Sequence, residues 1–235
     1  MIQHLLQLIW NQRKQNAWLW AELLLVSVFL WFLVDYLYVM GRTYTAPLGF
    51  DIRHTYSIVI SSLSERSPDY IPKEKRERPD GVHLLTALDR IRTYPGVESA
   101  CLTDGGMPYY MGSRNLVWRI DTLQVPCRYA FVTPEFFDVF RIYDKDGKTA
   151  SLKRAIEDNN SIVISADVET MNPGLSLLGQ KAYRGNVTDE IEETIRGISV
   201  PIRRHEYTKA EPNVYRALRL SLIHISEPTR QEAIS

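Results

Sequence analysis

The sequence predicts an α+β protein in which a membrane-spanning helix leads into a mixed domain of helices and strands. Three observations predict it. The stretch Ala17 to Met40, AWLWAELLLVSVFLWFLVDYLYVM, is apolar almost throughout. Beyond Gly41, segments that alternate with period two and segments with helical spacing follow one another without a regular repeat. With 235 residues, the chain has room for that helix and one compact domain or two small ones.

Residues 1–16 place Leu5, Leu6, Leu8, Ile9 and Trp10 ahead of Arg13 and Lys14. This pattern suits either an amphipathic helix on a membrane surface or an extension of the following helix. As a helix, residues 17–40 would be about 36 Å long, against a hydrocarbon core of about 30 Å. Glu22 and Asp35 are its only charges and lie near its ends, where the cost of an acidic group is partial. Either they reach the interface, or Glu22 hydrogen-bonds a neighbouring membrane helix, since an ionisable group in a membrane is a functional candidate by default. Trp18, Trp20, Tyr36 and Tyr38 fall at the two headgroup levels. A cleaved signal would need a small-residue site after the apolar run. The sequence has YLYVMGRTYTAP there, so an uncleaved anchor is expected. Arg13 and Lys14 before the span and Arg42 and Arg53 after it leave its orientation open.

In the domain, HTYSIVISS (His54 to Ser62) alternates and predicts a strand. Leu63 to Asp80 is rich in Ser, Pro and charge and reads as a loop. Leu84, Leu85, Leu88 and Ile91 recur at helical spacing, with Asp80 as N-cap and Pro95-Gly96 as the stop. A strand is expected at Val97 to Thr103 and a turn at Asp104-Gly105-Gly106. Another strand should place Leu116, Trp118 and Ile120 on one face. Arg128 to Val132 leads to Thr133-Pro134-Glu135, whose cap, first-turn proline and early acid predict a helix start. Phe136, Phe137, Val139 and Phe140 form that helix's apolar face. SIVIS (Ser161 to Ser165) reads as a buried strand, and Ile198, Val200 and Ile202 alternate in a later one.

Lys and Arg balance Asp and Glu, so the net charge is zero and no basic surplus points to nucleic acid. KEKRER (Lys73 to Arg78) and DEIEE (Asp189 to Glu193) read as solvated faces. The sequence contains no GxxxxGK[ST] loop, no GxSxG elbow and no HExxH. The histidines, His4, His54, His83, His205 and His224, lack ligand spacing. Asp144-Lys145-Asp146-Gly147 resembles a calcium loop, but Ala155 stands where the bidentate Glu is required, so it reads as a turn. Hence no catalytic residues, cofactor or metal are expected. Cys101 and Cys127 could form a disulfide only if their Cα atoms lie within about 7 Å in an oxidising compartment.

The order of segments resembles the N-terminal part of the MacB and FtsX-like family of ABC-transporter permeases. The resemblance rests on the basic amphipathic start with the anchor, YPGVESA (Tyr94 to Ala100), YAFVTPEFFDVFRI (Tyr129 to Ile142), SIVIS, LLGQKAY (Leu177 to Tyr183), IRGISV (Ile195 to Val200) and EPNVY (Glu211 to Tyr215). It covers roughly residues 1–219. It implies a bacterial inner-membrane permease, dimeric, whose first helix leads from the cytoplasm to a periplasmic domain and is followed by three more membrane helices. A separate cytoplasmic ATPase, which would bind ATP and Mg, would drive export or the activation of a periplasmic partner. The chain departs from that pattern in having no second apolar run of membrane length after Met40.

The tail accounts for the departure. Leu220 to Arg230, LSLIHISEPTR, resembles the in-frame translation of a transposon-based sequencing adaptor. The expected organisation is therefore an interfacial segment 1–16, a membrane helix 17–40, an incomplete periplasmic core domain 41–219 and a non-native tail 220–235. The rival reading is a single-pass sensor or binding module with an extracytoplasmic domain.

Overall fold

The computed structural model describes residues 3, 7, 10, 14, 17–59, 63–64, 66–72, 80–110, 112, 114–158, 160–184 and 191–218. Most of the amphipathic start, all of KEKRER and the adaptor-like tail lie outside them. Two compact units are present.

In the first, helix α1 (Ala17–Thr45) has a mean hydropathy of 2.2 in its most apolar window and buries none of its residues. It is the one candidate span among the described residues, by length and composition. It continues past Met40, because Gly41 is followed by a further turn in which Arg42 sits near the negative end of the helix dipole. Thr45 Oγ1 donates to the Gly41 carbonyl at 3.0 Å and closes that turn.

The second unit contains helices α2 (Asp80–Arg92), α3 (Phe136–Val139), α4 (Ala150–Glu157) and α5 (Asp167–Met171), and strands β1 (Thr103–Asp104), β2 (Asn115–Ile120), β3 (Leu123–Val132), β4 (Ser161–Ser165), β5 (Lys181–Arg184), β6 (Ile191–Ser199) and β7 (Asn213–Ala217). Six strands run in the order β3-β2-β5-β6-β4-β7, and β7 pairs back with β3. These six strands thus form a closed ring, with β1 added against the end of β3. Closure depends on the length of β3. Its first half pairs with β2, and Arg128 to Val132 pair in parallel with Asn213 to Ala217 of β7.

Side chains alternate across this wall. Trp118, Ile120, Val125, Cys127, Ile162, Ile164, Ala182, Ile195 and Val214 pack together inside with Val168 of α5 and Leu177. Ala130, Val132, Val163 and Tyr215 face outward and pack against Phe136, Phe137, Phe140, Leu152, Ala155 and Ile156. The Phe136 ring lies 5.4 Å from that of Tyr215 and 4.8 Å from that of Phe140. The α+β expectation, the apolar face of Phe136, Phe137 and Phe140, the strand around Trp118 and the buried SIVIS strand all match the structure.

Four local expectations are corrected. Residues 54–59 form no strand, since His54 turns the chain at φ 61° and Tyr56, Ile58 and Val59 are exposed without a ladder. Residues 60–62 of that expected strand lie outside the described ones. Of Val97 to Thr103 only Thr103 is in a strand, because just Thr103 and Asp104 lie opposite β3, facing Val132 and Phe131. Thr133 does not cap α3; its Oγ1 accepts the Leu102 N–H at 3.2 Å, and the cap position falls on Glu135. The late strand ends at Ser199 rather than including Val200 and Ile202. Its register against β4 shifts between Ile162 and Val163, so Ile195 pairs with Ile162 and Gly197 with Val163. Arg196 is the extra residue of a bulge, which changes the phase of the alternation.

Candidate functional site

A cleft of about 350 Å³ is lined by Asp51, Arg53, His54, Arg141 and Tyr143. It forms where the strap of residues 48–55 crosses the end of α3. The strap is held by its backbone. Asp51 N–H donates to the Phe140 carbonyl at 2.9 Å, and Arg203 N–H donates to the Leu48 carbonyl at 3.0 Å. Phe50 packs against the outer core and meets the Tyr109 ring edge-on at 5.8 Å.

Gly49 makes this docking possible. Its φ is +83°, and a Cβ there would lie 2.1 Å from the Pro201 carbonyl oxygen. No side chain fits without moving backbone.

Charge fixes the strap's second half. Arg53 reaches Asp51 through Nε at 2.9 Å and Nη2 at 2.7 Å. Arg141 Nη1 lies 3.1 Å from the same carboxylate and 3.4 Å from the Arg53 carbonyl. The Arg53 hydrogen bonds, side chain then backbone, hold the Asp51 carboxyl well below its usual range, with the charges of Arg53 and Arg141 adding to the effect. Arg141 itself adopts φ 51°, so two non-glycine residues in the left-handed region, His54 and Arg141, flank the cleft.

These charges are satisfied by one another. The cleft brings no nucleophile next to a base, and among the described residues no group of three His, Cys, Asp or Glu could hold a metal ion. Its geometry is that of a clamp on the chain.

The residues singled out from sequence are not gathered here. Glu22 and Asp35 are exposed on α1. Cys101 and Cys127 are free thiols that pack in separate clusters, Cys101 against the outer core and Cys127 inside the closed sheet, so the structure does not join them. The Asp144 loop is a turn as expected. Asp144 Oδ1 accepts the N–H groups of Asp146 at 2.9 Å and Lys148 at 2.8 Å.

Sequence reasoning missed Gly49, Asp51 and Arg141. The only available signal was the Gly-Phe-Asp run just after the anchor, since Arg141 lies far away in sequence. It also placed Glu193 on a solvated face. Glu193 is 3 % exposed, inside the closed sheet, where Arg216 Nε donates to it at 2.7 Å and Arg184 Nε lies 3.5 Å away. Glu193 and Ile195, two residues apart in β6, share the inner face, and the bulge at Arg196 changes the phase only beyond them. Periodicity alone does not reveal this.

No family model and no curated protein matches the chain. Among solved structures, it is similar to the periplasmic region of MacB from Actinobacillus actinomycetemcomitans, at 11 % identity and TM-score 0.42, over 61 % of this chain and 58 % of that one. A permease-protein domain from Porphyromonas gingivalis matches at 20 % identity and TM-score 0.41, over 56 % of this chain and 50 % of its own. The extracellular domain of the noncanonic ABC-type transporter YknZ from Gram-positive bacteria matches at 13 % identity and TM-score 0.40, over 56 % and 60 %. The chain thus spans half to three fifths of the length of these structures.

Proposed function

We propose that the chain is the N-terminal part of an ABC-type permease of the MacB and FtsX kind, acting by mechanical transmission and protein contact rather than by chemistry of its own. In this reading a separate ATPase binds ATP and Mg, the full-length permease is a homodimer in the bacterial inner membrane, and the mixed domain is periplasmic and meets the exported substrate or an activated partner. The observation that carries the reading is local. A helix of membrane length is followed, after Ala46 and Pro47, by a strap whose backbone is hydrogen-bonded at Leu48 and Asp51 and packed too closely at Gly49 to slide. Displacement of the chain entering the domain would therefore pull on Phe140 and Arg203 together. The ordered set of permease-like segments, from the anchor to EPNVY, supports the family assignment.

Recovering the source locus and purifying its tagged product tests this. The expected result is a reading frame with further hydrophobic segments of membrane length, whose product copurifies with an ATPase subunit. A downstream kinase or signalling module without such segments would overturn the permease reading in favour of the single-pass sensor.

A further inference from the structure

The ion pairs that fix the strap leave part of their chemistry over. Asp51, Arg53, His54, Arg141 and Tyr143 line one cleft of about 350 Å³, a volume within the range of small-molecule sites, about 300–1,000 Å³. One carboxylate faces two guanidiniums there, so the cleft carries one positive charge in excess before His54 is counted. The guanidiniums are held side by side. Arg53 Nη2 at 2.7 Å and Arg141 Nη1 at 3.1 Å meet the same oxygen, Asp51 Oδ2.

Both guanidiniums keep donors beyond those the strap uses, since each carries five N–H groups. Arg53 gives Nε and Nη2 to Asp51, which leaves its Nη1. Arg141 gives Nη1 to Asp51 and to the Arg53 carbonyl, which leaves its Nε and Nη2. Asp51 is the one group that opposes an anion, and its oxygens already accept from Arg53 and Arg141. Backbone strain marks the same place. His54 and Arg141 both hold positive φ, at 61° and 51°, and strain of this kind collects at ligand clamps. A phosphate group matches these features. Arginine forks recognise it, a phosphodiester's single negative charge balances the excess, and the cleft has room for the groups the phosphate esterifies. Asp51 follows the last residue of α1 by six positions, a contour of about 20 Å when extended, so an α1 in a bilayer tethers the cleft near that bilayer's phosphate layer.

We propose that this cleft binds a phosphate group between the guanidiniums of Arg53 and Arg141. The phosphate belongs either to a membrane lipid or to a small soluble ester. The lipid source rests on reading α1 as a membrane span, whereas the site itself does not.

Thermal unfolding of the full chain in nonionic detergent, at constant ionic strength, tests it with sodium glycerol phosphate, sodium acetate, and either phosphatidylglycerol or diacylglycerol mixed into the micelles. Glycerol phosphate should raise the midpoint saturably and acetate should not. Arg141→Gln, at a side chain 37 % exposed, should lose about tenfold in apparent affinity. Arg53→Gln, at one 82 % exposed, should lose about threefold, and Arg154→Gln on exposed α4 should keep the response. Phosphatidylglycerol that acts at lower concentration than glycerol phosphate, with diacylglycerol inert, identifies a lipid; otherwise the soluble ester is the ligand. No saturable response to either phosphate, an equal response to acetate, or one undiminished in Arg141→Gln would overturn the site. If Arg141→Gln does not fold, Arg53→Glu reverses a charge on an exposed side chain and should abolish the response, and a response that survives it would overturn the site equally.

Discussion

Arg216 and Glu193 form a hydrogen-bonded ion pair inside the closed sheet, with Arg216 Nε 2.7 Å from Glu193 Oε1 and the same guanidinium 5.1 Å above the Phe131 ring. The side chains are 12 % and 3 % exposed. Arg184 lies on the other side of the carboxylate, so one acid holds two guanidiniums within the wall. Removing the acid takes an ion-pair partner from both. Glu193→Ala should cost about 3–5 kcal/mol, as for breaking a buried pair, read by urea unfolding. Glu193→Leu combined with Arg216→Met should recover part of that loss, because well-packed apolar replacements avoid the desolvation penalty. A cost under about 1 kcal/mol for Glu193→Ala would show that solvent already reaches the pair.

Gly49→Ala should destabilise more than Gly96→Ala. Both glycines have positive φ, 83° and 90°, but a Cβ at Gly96 meets nothing within 4 Å whereas at Gly49 it meets the Pro201 backbone. The strain at Gly96 alone is worth about 1–2 kcal/mol. Equal unfolding midpoints for the two variants would mean that the strap gives way without cost.

Asp51→Asn should loosen the strap without unfolding the domain. The carboxylate that Arg53 and Arg141 share is lost, so trypsin should cut after Arg53 faster in the variant while the melting temperature changes little. The wild-type contact should persist in moderate acid. The pKa of Asp51 is lowered, so its contribution is present above the ordinary carboxylate value and is lost only as pH falls through the depressed one.

Alkaline pH should weaken the domain through its thiols. Burial pushes both Cys101 and Cys127 up to about 12 from the ordinary value of 9.0. In the unfolded chain the thiols ionise as pH rises past that ordinary value, while the folded chain keeps their protons. Stability is therefore full below about pH 9 and falls between there and about 12. Replacing Cys127 by Val should flatten the decline measured by denaturant unfolding at stepped pH. Maleimide at pH 8 should label neither thiol rapidly until denaturant is added.

What was legible in sequence were features that depend on neighbours in the chain. The apolar run of α1, the helix around Leu88, the aromatic face of α3 and the apolar centre of the SIVIS strand all follow from composition and spacing. The expected strand at His54 had the right alternation but no partner along residues 54–59, and alternation by itself does not make a ladder. Thr133 had the chemistry of a cap, yet a nearer donor, the Leu102 N–H, claimed its hydroxyl. The candidate site was less legible than the fold. Its parts, Gly49, Asp51 and Arg141, are ordinary residues until the strap brings them together.

The sequence by itself determined that residues 17–40 form an apolar run of membrane length and that α+β structure follows it, because hydrophobic periodicity is a local property of the chain. The tertiary structure decided the rest. Pairing of β3 with β7 closes the sheet, Arg216 and Arg184 meet the inward-facing Glu193, and Pro201 approaches Gly49 too closely for any side chain. Each of these joins residues far apart in sequence, and their energies arise from burial and contact, which exist only once the chain has folded.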